Sequence, residues 1–169
     1  MRREGDRLVV ARGGGGPPVV LQDDTTDGAR FVRHAYRAHL ASIGAHLVEL
    51  RHYEGSSYLL IDARSGAATP LSGPPVVSPD GRRFVTTSMD LEAGYDPNEI
   101  EIWRVTDSVR QLEFSHRPDG WGPSDAVWRD SATIELRKHE MAPDGSSSRV
   151  TPLRLTRDGT TWSLHDLSR

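Results

Sequence analysis

The sequence contains no cysteine. This absence excludes disulfide bonds, a thiolate nucleophile and a zinc ion held by thiolates. The chain also has no run that approaches the roughly 20 apolar residues of a membrane-spanning helix, so we predict no membrane span. The opening "MRREGDRLVVARGGGG" lacks the apolar segment of a signal peptide. Two compartments stay open: the cytoplasm, or export to the periplasm with the leader removed, and we prefer the second.

Lysine is nearly absent, since Lys138 is the one lysine among 21 basic residues. The 24 acidic residues outnumber the basic ones and give a net charge of −3. Both signs are mixed along the chain, whereas nucleic-acid binders usually concentrate basic residues on one stripe. The composition therefore predicts no nucleic-acid partner.

Helical patterns are missing as well. No segment has apolar residues at i, i+3, i+4 and i+7 over three turns, and 16 glycines and 11 prolines interrupt the chain. What is present is a series of short apolar runs separated by turn residues, which predicts an all-β fold. At 169 residues the chain is long enough for a single domain with a core.

The first 28 residues predict an N-terminal hairpin followed by a loop. Two apolar runs flank "RGGGGPP" (12–18). This glycine-rich stretch lacks the lysine and the following helix of a phosphate-binding loop. We interpret it as a flexible hairpin loop.

The rest of the sequence repeats. With a shift of 50 positions, Asp80 falls on Asp130 and Val105 falls on Leu155. A weaker match relates the segment before residue 74 to the two segments that this shift aligns. The units are expected at 29–73, 74–117 and 118–169. Each reads as four strands, and a four-stranded repeat of 40–50 residues is typical of a propeller blade.

The faces of the second repeat explain why such units would stack. We expect Phe84, Ile100 and Ile102 on one face, and Val85 and Trp103 on the other. A sheet with apolar residues on both faces cannot hide them from water alone, so neighbouring sheets must cover them.

The stretch "VVSPDGRRFVTTS" (76–88) resembles the Ser-Pro-Asp-Gly repeat of bacterial WD-like β-propellers, and "NEIEIWRVTDSVRQLEF" (98–114) is similar to the third and fourth strands of that repeat. The resemblance implies that the inner strand ends at the Pro-Asp-Gly turn. The third repeat has "VWRD" (127–130) instead, so its turn must be built differently. Three blades plus a hairpin do not obviously close a ring, since propellers typically have 4–8 blades. We therefore predict a small or incomplete β-propeller, with a β-sandwich or barrel-like stack as the alternative.

The candidate site follows from the loops. In a propeller the loops 72–75, 89–98, 116–123 and 140–148 would open on one face. Aromatic side chains beside carboxylates form a plausible recognition patch, because aromatic anchors dominate binding energetics. For Trp121 the alternative is a place in the core between blades. The binding candidates are Tyr95, Asp96, Asn98, His116, Asp119, Trp121 and Asp125.

Metal sites have two weak candidates. His46 and His52 share a strand face and would need a third ligand such as His34 or His39. The loop 89–99 is rich in oxygen ligands, but its spacing matches no calcium loop. We predict no metal and no cofactor.

The sequence contains no motif that is characteristic of a particular catalytic reaction. We therefore expect a non-catalytic binding or scaffold module that recognises a protein or peptide through one loop face. The first alternative is an enzyme of hydrolase or lyase type with His116, Asp119 and Asp125 as candidate groups. The second alternative is a structural homo-oligomer in which another copy supplies the missing blades.

Overall fold

A computed structural model describes residues 1–106, 110–142 and 148–167, except for the side chain of Ser148. The fold is all-β, and these ranges contain no α-helix. The chain divides into two compact units, the N-terminal unit Met1–Leu71 and the C-terminal unit Ser72–Arg169. They contain four antiparallel sheets of three or four strands each.

The N-terminal unit has seven strands in two sheets. They are β1 (Arg2–Glu4), β2 (Arg7–Val10), β3 (Val19–Gln22), β4 (Val32–Leu40), β5 (Ala45–His52), β6 (Ser56–Asp62) and β7 (Ala68–Leu71). The first sheet has the order β1-β2-β3, and the second sheet has the order β4-β5-β6-β7. Leu8, Val10, Val48 and Ile61 form a buried hydrophobic cluster in this unit.

The hairpin at the start of the chain pairs β2 with β3, with Val10 opposite Val19. A third strand, β1, pairs with β2 and was not predicted. Its three residues are all polar and exposed, so no alternation of apolar residues marks it in the sequence.

The C-terminal unit has eight strands. They are β8 (Val76–Val77), β9 (Arg83–Ser88), β10 (Glu99–Val105), β11 (Arg110–His116), β12 (Trp121–Trp128), β13 (Thr133–Met141), β14 (Ser148–Asp158) and β15 (Thr161–Asp166). The third sheet contains β8 to β11 and the fourth sheet contains β12 to β15, each in chain order.

The third and fourth sheets share one hydrophobic core. Its fully or nearly buried members are Val85, Ile100, Ile102, Ala126, Trp128, Ile134, Leu136, Leu153, Leu155 and Trp162. The rings of Trp128 and Trp162 meet edge to face with centroids 5.9 Å apart. The Nε1 of Trp128 donates to the carbonyl of Val76 at 2.8 Å, which links the fourth sheet to the third.

The strand register corrects the predicted faces of the third sheet. Ile102 lies opposite Val85 and Trp103 lies opposite Phe84. The ring planes of Phe84 and Trp103 stack with centroids 6.1 Å apart. Phe84 therefore lies on the face of Trp103, and Val85 lies on that of Ile100 and Ile102, so the prediction was wrong for both residues. Both faces do carry buried apolar residues, as expected.

The register also corrects the constant shift of 50. Trp103 is paired with Phe84, and Leu155 is paired with Ile134. Trp103, not Val105, is therefore the counterpart of Leu155. Leu155 follows Ile134 by 21 positions and Trp103 follows Phe84 by 19, and this even difference keeps every side chain on its face.

The turn between the first two strands is closed by an aspartate carboxylate in both the third and the fourth sheet. The Oδ1 of Asp80 accepts from the amide of Arg82 at 3.0 Å, and the Oδ1 of Asp130 accepts from the amide of Ala132 at 2.7 Å. Gly81 has a left-handed φ of +67°. The carboxylate thus makes the turn in both sheets, and glycine is needed in one of them.

The outer face of the fourth sheet differs from the matching face of the third. Glu135 and Arg154 lie opposite each other where the third sheet has Val85 and Ile102. Glu135 accepts from Arg154 at 2.9 Å and from Arg129 at 2.7 Å. This face carries ion pairs where its counterpart carries buried aliphatic side chains.

Candidate functional site

The loop between β9 and β10 is organised by the carboxylate of Asp90. Its Oδ1 accepts from the amide of Ala93 at 2.9 Å, and its Oδ2 accepts from those of Tyr95 at 2.8 Å and Asp96 at 3.2 Å. These amide hydrogen bonds lower the pKa of Asp90 to about 2. At neutral pH the carboxylate is therefore charged and accepts from three amides of the loop.

Asn98 and Gly122 fix the position of this loop on the fourth sheet. The Oδ1 of Asn98 accepts from the amide of Asp90 at 2.9 Å. A Cβ atom on Gly122 would lie 2.2 Å from the Cγ of Met89 and 3.0 Å from the Oδ1 of Asn98. Only glycine lets the loop approach β12 this closely.

A cleft of about 260 Å³ lies where the loop meets the end of β13. We call it the loop cleft; it is lined by Met89, Asp90, Leu91, Glu92, His139 and Met141. Met89 is 41% exposed. The walls combine the apolar side chains of two methionines and a leucine with two acidic side chains and a histidine.

Trp121 lies beside this region and packs against the core of the C-terminal unit. Its ring centroid is 5.7 Å from that of His116. The Nζ of Lys138 lies 5.7 Å from the same ring and forms an ion pair with Glu140 at 2.7 Å. Trp121 is half-buried, so its ring serves the core and the surface at once.

Ser124, His139 and Asp125 form a contact that does not work as a catalytic triad. The Oγ of Ser124 lies 2.7 Å from the Nε2 of His139 and donates to the Oδ2 of Asp125 at 3.1 Å. Asp125 thus bonds to the hydroxyl of Ser124, whereas the acid of a catalytic triad bonds to the imidazole and orients it.

Asp125 itself sits on a β-bulge of β12. Its φ of +53° makes it the one non-glycine residue with a positive φ among the described residues. Its exposed carboxylate lies 3.5 Å from Arg137. Asp125 lies where the bulge bends the strand, a position at which a residue with left-handed φ often occurs.

The predicted site residues fall into two groups. Asn98, His116 and Trp121 lie around the start of β12, and the backbones of Tyr95 and Asp96 are bound to Asp90 in the loop. Tyr95 is 63% exposed. Asp119 and Asp125 are exposed, and no hydrogen bond or ion pair within the described ranges joins them to His116. Most of the predicted loop 140–148 lies outside those ranges.

The two metal candidates do not assemble. Glu99 is 3% exposed and accepts from Arg117 at 2.8 Å, and the carboxylate of Asp90 is used by the loop amides. His46 contacts His39, with ring centroids 4.8 Å apart, while His52 bonds to Ser57. In the part of the chain that the structure describes, no three histidine or acidic side chains could hold a metal ion together.

Comparison with protein-family models, with curated proteins and with solved structures finds no match to this chain. Among the described residues, no helix is both long enough and apolar enough to cross a membrane.

None of the six residues that line the loop cleft was among the binding candidates. Four of them lie in the loop 89–98 that was predicted to face the site, whereas His139 and Met141 lie on β13. Nothing in the sequence brings the end of β13 next to a loop about 50 positions earlier, apart from the repeat itself. The tight packing around Gly122 could be known only from the coordinates.

Proposed function

We propose that this chain is a propeller-type binding module that recognises an exposed protein segment through the loop cleft. The observation that carries the proposal is the packing of the loop against Gly122, which places Met89 and Leu91 in one cleft with Met141 and His139. Four-stranded sheets in chain order, two of which share a core, support the propeller-type assignment.

The size of the cleft favours a peptide side chain over a small molecule. At about 260 Å³ it lies below the roughly 300–1,000 Å³ of small-molecule pockets. Methionine side chains adapt to irregular partners, which is why they are common at peptide-binding surfaces. The cleft therefore fits one apolar side chain of a longer segment.

The surroundings favour a basic residue next to that apolar side chain. Asp90 and Glu92 line the cleft, and the exposed ring of Tyr95 lies in the same loop. A lysine or arginine of the partner would find carboxylates and an aromatic ring there. We infer a short segment with an aliphatic or aromatic residue flanked by a basic one.

Selection from a displayed peptide library tests the proposal. We expect enriched peptides to combine an apolar and a basic residue, and to bind Met89→Ser at least tenfold more weakly, since the variant loses a wall of the cleft. Leu112→Ser is the matched control, because Leu112 is 42% exposed and lies in the same unit outside the cleft.

A second variant tests the geometry rather than the chemistry. Gly122→Ala places a methyl group where the Met89 side chain lies, so Met89 must move and binding must weaken. The proposal is wrong if no peptide is enriched, or if the selected peptides bind Met89→Ser as tightly as the unmodified protein.

A further inference from the structure

The N-terminal unit contains a cleft of about 420 Å³ that the proposed peptide site does not use. We call it the arginine cleft; its walls are Met1, Arg3, Leu8, Arg33, His34, Ala35, Tyr36 and Arg51. Its volume lies within the range typical of pockets for small molecules. Three of its eight residues are arginines.

Two of these arginines oppose each other across neighbouring strands. Arg33 of β4 lies directly opposite Arg51 of β5. Like charges in this position destabilise a sheet. Arg33 forms no hydrogen bond or ion pair with any residue that the structure describes. Glu49 compensates the charge of Arg51, and an anion between the two guanidinium groups would compensate that of Arg33.

The carboxylates near the arginine cleft are already occupied. The Oε2 of Glu49 accepts from the Nε of Arg51 at 2.8 Å and also from Arg37. These hydrogen bonds outweigh the burial that would raise the pKa of Glu49, and they lower it. Asp23 accepts from Arg3 at 2.9 Å. The charge of Arg33 therefore remains without a counter-ion in the described chain.

Buried Asp23 fixes the imidazole of His34 in this wall. The Oδ1 of Asp23 lies 2.9 Å from the amide nitrogen of His34 and 3.0 Å from its Nδ1. The two side chains are 4% and 8% exposed. A carboxylate can only accept, so the Nδ1 of His34 carries a proton. Its Nε2 can then only accept a hydrogen bond in the neutral ring. His34 lies opposite Leu50 and follows Arg33 directly, so its side chain is on the other face of the sheet from Arg33 and Arg51.

We propose that the arginine cleft binds a small molecule through a phosphate or carboxylate group, with Arg33 and Arg51 on the oxyanion. The planar forks of two arginines match the oxygens of both groups. This site is independent of the loop cleft, and neither proposal depends on the other.

Calorimetric titration with inorganic phosphate and with citrate tests this assignment at constant ionic strength. We expect saturable binding of at least one of them, and the stronger of the two identifies the anionic group. Arg33→Gln is expected to weaken that binding at least tenfold. It is also expected to raise the unfolding temperature without ligand, because it removes the repulsion with Arg51.

Arg7→Gln is the matched control. Arg7 is an exposed strand arginine of the same unit, lies opposite the uncharged Gln22 and does not line the cleft. We expect it to bind as the unmodified protein does. In nitrogen NMR spectra the Nε resonance of Arg33 is expected to shift with ligand. The proposal is overturned if neither anion binds up to about 10 mM, or if Arg33→Gln and Arg7→Gln bind alike.

Discussion

The third and fourth sheets have the same strand order and share a core, yet their corresponding faces differ. In the third sheet Val85 and Ile102 are fully buried, whereas Glu135 and Arg154 hold the matching positions in the fourth. One sheet is therefore built to be covered on both faces, and the other to have one face in water.

This difference bears on assembly. A second copy that docked on the outer face of the fourth sheet would have to bury the ion pairs of Glu135 with Arg129 and Arg154. Desolvating such pairs offsets much of their attraction. The comparison thus gives no support to an oligomer built through this face.

The largest expected effect compares the two matched positions directly. Ile102→Ala should lower the free energy of unfolding by about 2–5 kcal/mol, because it leaves a cavity in a fully buried site. Arg154→Ala should cost less than about 1 kcal/mol, since its ion pair is partly exposed. Urea denaturation followed by tryptophan fluorescence measures both. Equal losses would contradict the assignment of the two faces.

The turns give the next largest effect. Gly81→Ala should cost about 1 kcal/mol because the residue has a left-handed φ, whereas Ser131→Ala at the matching position should change little. The same denaturation experiment measures both variants. A similar cost at both positions would mean that the turns have the same backbone.

The bulge of β12 has no counterpart in the paired part of β8, and its strain can be measured at Asp125. Asp125→Gly and Asp125→Ala both remove the carboxylate, but only glycine relieves the left-handed φ. The glycine variant should be more stable than the alanine variant by about 1 kcal/mol. If alanine is at least as stable, the residue is not strained.

The smallest expected effect concerns the loop between β9 and β10 of the third sheet. The pKa of Asp90 falls from 3.8 to about 2 because the folded loop binds the charged form. The stabilisation is therefore complete above pH 4 and is lost as the pH falls through about 2. The amide resonances of Ala93 and Tyr95 should titrate with that midpoint, and Asp90→Asn should abolish the titration. A midpoint near 4 would show that the carboxylate does not organise the loop.

Much of the fold was predictable because local chemistry determines it. The Ser-Pro-Asp-Gly turn and the alternation in 99–105 predicted strands and turns that the structure contains. The register was not predictable, because a long loop such as 89–98 does not set which residues lie opposite each other. Phe84 was consequently assigned to the wrong face.

The candidate sites were less predictable than the fold. Tyr95 and Asn98 were proposed because they lie in or beside a loop expected on one face of the fold, and the structure contains them in a loop that packs on β12. The loop cleft depends on a contact between two sheets, and the arginine cleft on two residues 18 positions apart that a strand register brings together. Such contacts are tertiary, so residue spacing does not reveal them.

Methionine methyl NMR tests the proposed peptide site most directly. The chain has three methionines: Met89 and Met141 line the loop cleft, and Met1 lines the arginine cleft. On titration with a selected peptide, we predict that the methyl resonances of Met89 and Met141 shift and that Met1 does not. A bound peptide that leaves Met89 and Met141 unchanged, or that moves Met1 instead, would contradict the account.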